Sequence, residues 1–144
     1  MGEAKRMSLL ITTKFDHEMA RLADMHYSRR VHGDRQFMPP GRTIVIRDQL
    51  GLLVFGWSSQ VYRWDGETGY NCSIFRNESG RLSSEVILEC EEIAVRKWGP
   101  DRFFTYIDPS KIRSTNPGYC FKQAGWRFVR TNREGKHLLE KRSA

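Results

Sequence analysis

From Thr13 to about Ser28, the apolar residues Phe15, Met19, Leu22 and Met25 recur every three or four positions, with Asp16, Glu18 and Arg21 between them. That period predicts an amphipathic helix. Val31 to Arg42 contains Gly33, Pro39, Pro40 and Gly41, which rule out its continuation and leave an ordered loop. Thr43 to Arg47 and Leu52 to Trp57 are β-branched, apolar or aromatic runs joined by Asp48-Gln49-Leu50-Gly51, a hairpin pattern. After a polar stretch, Ser58 to Gly69, Tyr70 to Arg76 reads as a further strand, and Asn77 to Ser84 breaks it with Ser83 or Ser84 as a helix cap. Glu85 to Trp98 then carries one apolar stripe (Val86, Ile87, Cys90, Ile93, Ala94), with Glu85 and Glu89 ahead of Arg96 and Lys97 as the helix dipole favours. Gly99-Pro100 ends that helix. Arg102 to Ile107 is a strand, Phe121 to Ala124 falls in a short helix, and Trp126 to Arg130 with His137 to Glu140 form a closing hairpin around Asn132 to Gly135. Strands punctuated by helices at this size predict an α/β (α+β) sandwich with a mixed sheet.

Composition narrows the classes. With 144 residues and 39% apolar content, the expectation is one domain over residues 1–144. No run approaches the roughly 18 to 20 apolar residues of a membrane span, and Leu9-Leu10-Ile11 gives way at once to Thr12. No signal segment or membrane partner is therefore expected, and the location read from the sequence is cytoplasmic. Cys72, Cys90 and Cys120 are odd in number and far apart, which argues for small buried hydrophobes over a disulfide framework or a zinc module. His17, His26, His32 and His137 with scattered carboxylates form no recognisable metal set.

The net charge is +7, and residues 110–144 hold nine Lys or Arg against Glu134 and Glu140, which equals the whole excess. Arg29, Arg30, Arg35, Arg42 and Arg47 form a second cluster. Such clusters concentrate polyanions or phosphate-bearing cofactors; a solvated basic face is the plainer alternative.

Several residues could carry chemistry. The loop from Arg76 through Asn77, Gly80, Arg81 and Leu82 to Ser83 and Ser84 joins a strand to a long helix, where free amides, the dipole and a glycine suit a pyrophosphate. It is neither Gly-x-x-x-x-Gly-Lys-Ser/Thr nor Gly-x-Gly-x-x-Gly, so a P-loop is excluded and a simple cap and turn remains open. Arg76 could clamp a phosphate or pair with Glu78. Asp108, fixed by Pro109 at a strand end, could accept a proton or merely cap the following turn. His26 and Tyr27 could supply an acid, a base or a stacking ring, or close a helix end. Asn116 and Pro117 suit the start of the last helix. Among the tryptophans, Trp64 in Arg63-Trp64-Asp65-Gly66 is the one in polar surroundings, a candidate exposed contact for an extruded base, with packing over the sheet equally open.

Taken together, Cys72 to Arg76, Asn77 to Ser84, Glu85 to Trp98, Arg102 to Ile107 and the aromatic-x-x-x-Gly-aromatic run Phe121 to Trp126 resemble the GNAT acyltransferase superfamily. The resemblance covers roughly residues 43 to 131 and implies a GNAT-like mixed sheet flanked by helices. It also implies acetyl-CoA or another acyl-CoA as cofactor, held by Asn77, Gly80, Arg81, Leu82, Ser83, Ser84, Asn116, Tyr119 and Phe121. The loop departs from the family's Arg/Gln-x-x-Gly-x-Gly/Ala pattern. Phe121 stands where the family often has a proton-donating Tyr, with Tyr119 two residues away.

Within the superfamily the chain is similar to the branch containing the phage Mu Mom DNA-modification protein, through His26-Tyr27-Ser28-Arg29, Val54-Phe55-Gly56, Phe75-Arg76-Asn77, Tyr106-Ile107-Asp108-Pro109 and Asn116-Pro117-Gly118. That resemblance implies DNA or a modified DNA base as substrate and the host cytoplasm as the location of a phage-encoded protein. It gives Asp108, Arg76, Tyr27 and His26 catalytic roles, and Ser28, Arg29, Arg30 and Trp64 substrate contacts. Acylation of a small-molecule or protein amine, and a non-catalytic nucleic-acid-binding module, are the alternatives.

Overall fold

The computed structural model describes residues 8–25, 37–61, 63–112 and 116–143. Its sheet has seven strands in the order β1-β2-β3-β4-β5-β7-β6 and mixed direction. The chain forms two compact units, one comprising Met1–Gln60 and Ser73–Arg81, the other Val61–Cys72 and Leu82–Ala144.

The first unit contains β1 (Leu10–Thr12), α1 (His17–Ala23), β2 (Arg42–Arg47), β3 (Leu53–Ser59) and most of β4 (Tyr70–Asn77). β2 and β3 pair antiparallel from Arg42↔Ser59 to Arg47↔Val54. Buried Asp48 closes their turn by accepting the Leu52 and Leu53 amides at 2.8 and 3.1 Å. The expected first helix starts four residues late. Thr13 forms a turn with Phe15 and Asp16, and Asp16 becomes the cap, accepting the Met19 amide at 3.1 Å and the Thr12 hydroxyl at 2.8 Å. Arg47 reaches Asp16 at 2.9 Å and Glu18 at 3.2 Å, which fixes α1 to β2. The helix buries Met19, Leu22 and Ala23 with Phe37, Met38, Val45, Val54 and Ile74. Gly56 lies beneath Met38; a β-carbon there would sit 2.8 Å from Met38 Cε and 2.9 Å from Ile74 Cγ2.

The second unit holds α2 (Ser83–Trp98), β5 (Arg102–Ile107), a 3-10 turn (Pro109–Lys111), α3 (Tyr119–Gln123), β6 (Arg127–Thr131) and β7 (His137–Arg142). β4 meets β5 in parallel at Tyr70↔Phe103 and Asn71↔Phe104, and Thr105 Oγ1 donates to the Cys72 carbonyl at 2.8 Å. β7 lies between β5 and β6, so the hairpin inserts its second strand into the sheet and leaves β6 at the edge, with a register shift between Phe128 and Arg130. Neither Ser83 nor Ser84 caps α2: both are helical, and Leu82 occupies the cap position without a side-chain bond. β1 also lay beyond the sequence pattern, because three residues are too few to show a period.

The Phe121 to Trp126 run has a local explanation. α3 ends in a glycine-based Schellman cap, with the Trp126 amide donating to the Phe121 carbonyl, the Gly125 amide to the Lys122 carbonyl, and Gly125 at φ +96. Such a cap brings the residues on either side of it into contact, and the Phe121 and Trp126 rings meet edge to face at 4.8 Å. Both are buried. Trp126 also stacks on Phe103 at 6.1 Å and donates from Nε1 to buried Glu91 at 2.8 Å. Lys141 Nζ then bridges Glu91 and the Ala124 carbonyl, at 2.8 Å each.

Candidate functional site

In the first unit, β4 ends in Arg76 and Asn77. Arg76 donates to the Met25 carbonyl at 3.0 Å and pairs with Glu78 at 3.2 Å, while its buried Nε has no hydrogen-bond partner among the described residues. Asn77 builds the loop: its Oδ1 accepts the Ser79 amide at 3.0 Å and hydroxyl at 2.5 Å, and its Nδ2 donates to the Arg81 carbonyl at 2.8 Å. Its side chain is thus committed to the turn. Gly80 has φ +82, which accounts for glycine there, and a β-carbon would meet nothing within 4 Å, so the loop presents an open side at this point. Among the described residues, the Gly80 and Leu82 amides donate to no acceptor.

In the second unit, Asp108 caps the 3-10 turn, accepting the Ser110 amide at 3.1 Å and hydroxyl at 2.6 Å. The Ser110 hydroxyl bond is the main reason its carboxyl is held below the ordinary value. The turn-capping role that the sequence left open is therefore present, and the carboxylate stays ionised. Asn116 does not begin the last helix. Gly118 holds the cap position, a β-carbon there would lie 2.5 Å from Leu139 Cδ1, and Asn116 Oδ1 accepts Lys122 Nζ at 2.7 Å. Tyr119 is exposed, whereas Phe121 is buried against Trp126. Phe121 therefore contributes packing where a cofactor contact was expected. Cys72 and Cys90 are buried, and burial pushes the Cys120 thiol up, as suits small apolar fillers. His26, Tyr27, Ser28, Arg29 and Arg30 lie outside the described residues.

The residues before β4 form a charged cluster that local sequence reading missed. Gly66 donates to the Arg63 carbonyl, and Asp65 receives Arg63 Nε at 2.9 Å, Arg63 Nη2 at 2.6 Å, the Glu67 amide at 3.0 Å and the Tyr106 hydroxyl at 3.2 Å. The Arg63 bond holds Asp65 below its ordinary value; burial first, then the Asp65 charge, pushes Tyr106 up to about 12. Arg102 joins Glu140 at 2.7 Å and Glu67 at 3.0 Å, and the Arg63 and Arg102 guanidiniums lie 5.1 and 5.0 Å from the Phe104 ring. Arg127 pairs with Glu140 and Arg130 with Glu67. The basic last quarter is thus partly neutralised, since Arg130 and Lys141 find Glu67 and Glu91 far away in sequence. The Arg63–Asp65 spacing was visible in the sequence; the Tyr106, Arg102 and Arg130 contacts need the sheet register. Trp64, at the tip of this turn, is 88% exposed.

No family model matches the sequence, and no curated protein matches it either. Solved structures do. The GNAT domain of S. lividans PAT superposes with TM-score 0.61 at 14% identity, over 94% of this chain and 89% of that one. An acyl-CoA N-acyltransferase from Pseudomonas aeruginosa gives 0.60 at 10% identity, over 94% and 99%. The chain therefore has the GNAT acyltransferase fold. Among the described residues, no helix is long and apolar enough to cross a membrane, and no group of three His, Cys, Asp or Glu is placed to hold a metal ion.

Proposed function

We propose that this protein is an acyl-CoA-dependent N-acyltransferase whose acceptor is an amine on a nucleic-acid base, as in the Mom-like branch. The observation that carries the donor half is the fold likeness over 94% of the chain to two acyltransferase structures. The buried Arg76 Nε, orphaned among the described residues, fits the same reading because a buried donor without an acceptor calls for an anion or carbonyl, and the exposed Gly80 and Leu82 amides are free to donate to one. In the first unit, Arg76, Gly80 and Arg81 would take up the donor's pyrophosphate; in the second, Leu82, Ser83 and Ser84 open α2, whose dipole favours an anion. Asn77 shapes that loop.

Bound acyl-CoA supplies a thioester carbon open to attack by an amine. The acceptor nitrogen forms the new C–N bond, the C–S bond breaks, the amine proton passes to solvent, and the sulfur takes one proton. Asp108, kept ionised by Ser110, is a weak base; its role is to accept a hydrogen bond from the amine and orient the lone pair. Tyr119 is the exposed phenol available to protonate the sulfur, which Phe121 cannot do. His26 and Tyr27 as further catalytic groups, and Ser28, Arg29 and Arg30 as substrate contacts, belong to the same proposal. The pairing of Arg127, Arg130, Lys136 and Lys141 with carboxylates favours one rival, a small-molecule or protein amine as acceptor.

Thermal denaturation with acetyl-CoA tests the donor half. A ligand at one hundred times its Kd adds about 2.7 kcal/mol, a rise of roughly 6 to 10 °C for a chain of this size. No rise with acetyl-CoA or longer acyl-CoA would overturn the proposal.

A further inference from the structure

Trp64 is 88% exposed, and among the described residues nothing stacks on its ring. An indole left in water offers a large apolar face with a polar edge, the kind of side chain enriched where a partner docks. The turn is not loose. Asp65 gathers Arg63, the Glu67 amide and Tyr106, and Arg63 itself lies against the Phe104 ring, so the backbone on both sides of Trp64 is tied to β5. A backbone held this way keeps the ring in place on the surface and loses little freedom of its own on contact. Exposed cations stand in the same cluster: Arg130, 53% exposed, is held by Glu67 three residues beyond Trp64, and Arg127, 73% exposed, by Glu140. Arg63, Arg102, Arg127 and Arg130 face Asp65, Glu67 and Glu140, four cations against three anions, so the cluster keeps positive charge.

We infer that the Trp64 turn is a stacking post for an unpaired nucleobase, with Arg130 and Arg127 reaching the flanking phosphates. In a duplex the base faces are covered by their neighbours and only the edges show, so a protruding indole can stack only on a single strand or an extruded base. This narrows the acceptor proposed above to its strand state and rests on that reading.

The test is fluorescence anisotropy of fluorescein-labelled oligo(dT), and of the same strand in a dA·dT duplex, at one fixed ionic strength. Wild type, Trp64→Ala and Trp64→Phe are compared, with the acetyl-CoA thermal shift as an independent readout of the folded protein. Wild type should prefer the single strand; Trp64→Ala should weaken it by about 5- to 150-fold, the cost of one lost stack, and Trp64→Phe by less. Single-strand binding unchanged in Trp64→Ala, or equal affinity for the duplex, overturns this inference alone. Should wild type bind neither DNA yet shift with acetyl-CoA, both this inference and the nucleic-acid acceptor fall while the donor half stands.

Discussion

Glu91 is the strut beneath the Phe121 to Trp126 run, and its removal has a calculable cost. Its carboxylate is 7% exposed and receives the Trp126 indole N–H and the Lys141 ammonium, each at 2.8 Å. Glu91→Ala orphans both donors. Breaking a buried ion pair from one side costs about 3 to 5 kcal/mol, and an orphaned indole N–H about 1 to 3. Lys141 is a quarter exposed and keeps the Ala124 carbonyl, so its share is small and the total should be about 3 kcal/mol. That lowers Tm by roughly 6 to 12 °C in this size range. Glu91→Gln keeps an acceptor for the indole and should cost about half as much. Denaturant unfolding of Glu91→Ala, Trp126→Phe and the double variant gives the coupling between the two groups. A loss under about 1 kcal/mol in Glu91→Ala, or coupling near zero, would refute the claim that this pair anchors the C-terminal run.

Other outcomes follow from single contacts. Gly56→Ala drives a β-carbon into Met38 and Ile74 and should cost about 1 to 3 kcal/mol by denaturant unfolding, part of it recovered in a Gly56→Ala, Met38→Ala pair; no loss would contradict the packing. The Tyr106 phenol, pushed up to about 12, contributes stability that is full below the ordinary tyrosine value of about 10 and is lost as pH rises through the folded value. Asp65→Asn should lower that titration, read as phenolate absorbance with Tyr106→Phe as the blank; an unmoved curve would show that Asp65 plays no part. Asp108→Ala should abolish acyl transfer while sparing acetyl-CoA binding, whereas Arg76→Ala should weaken that binding. The reverse pattern in titration calorimetry would exchange their assignments.

Much of the fold was legible because its elements are long enough to show their period. Arg102–Ile107 is a strand over the residues expected, and α2 ends at Trp98 as the stripe and Gly99 indicate. Asp16 displaced the helix start because a carboxylate cap with Arg47 behind it outweighs the apolar count at Phe15. The candidate site was less readable. Asp108 as a cap depends on a local turn that sequence could raise but not decide. Phe121 resembles a functional aromatic by spacing alone, yet that spacing is also what a Schellman cap requires to close its own hydrophobic contact. The balance of the basic last quarter depends on Glu67 and Glu91, which only the folded register brings to Arg130 and Lys141.

The central claim is transfer of an acyl group to a base, and nucleoside mass spectrometry tests it most directly. Purified protein is incubated with acetyl-CoA and single-stranded DNA, the DNA is digested to nucleosides, and Asp108→Ala is run alongside. The account predicts one nucleoside heavier by an acetyl group, with matching release of free CoA thiol, and neither in the variant. Unmodified nucleosides from a protein that shows the acetyl-CoA thermal shift, with longer acyl-CoA donors and duplex DNA equally unmodified, would contradict it.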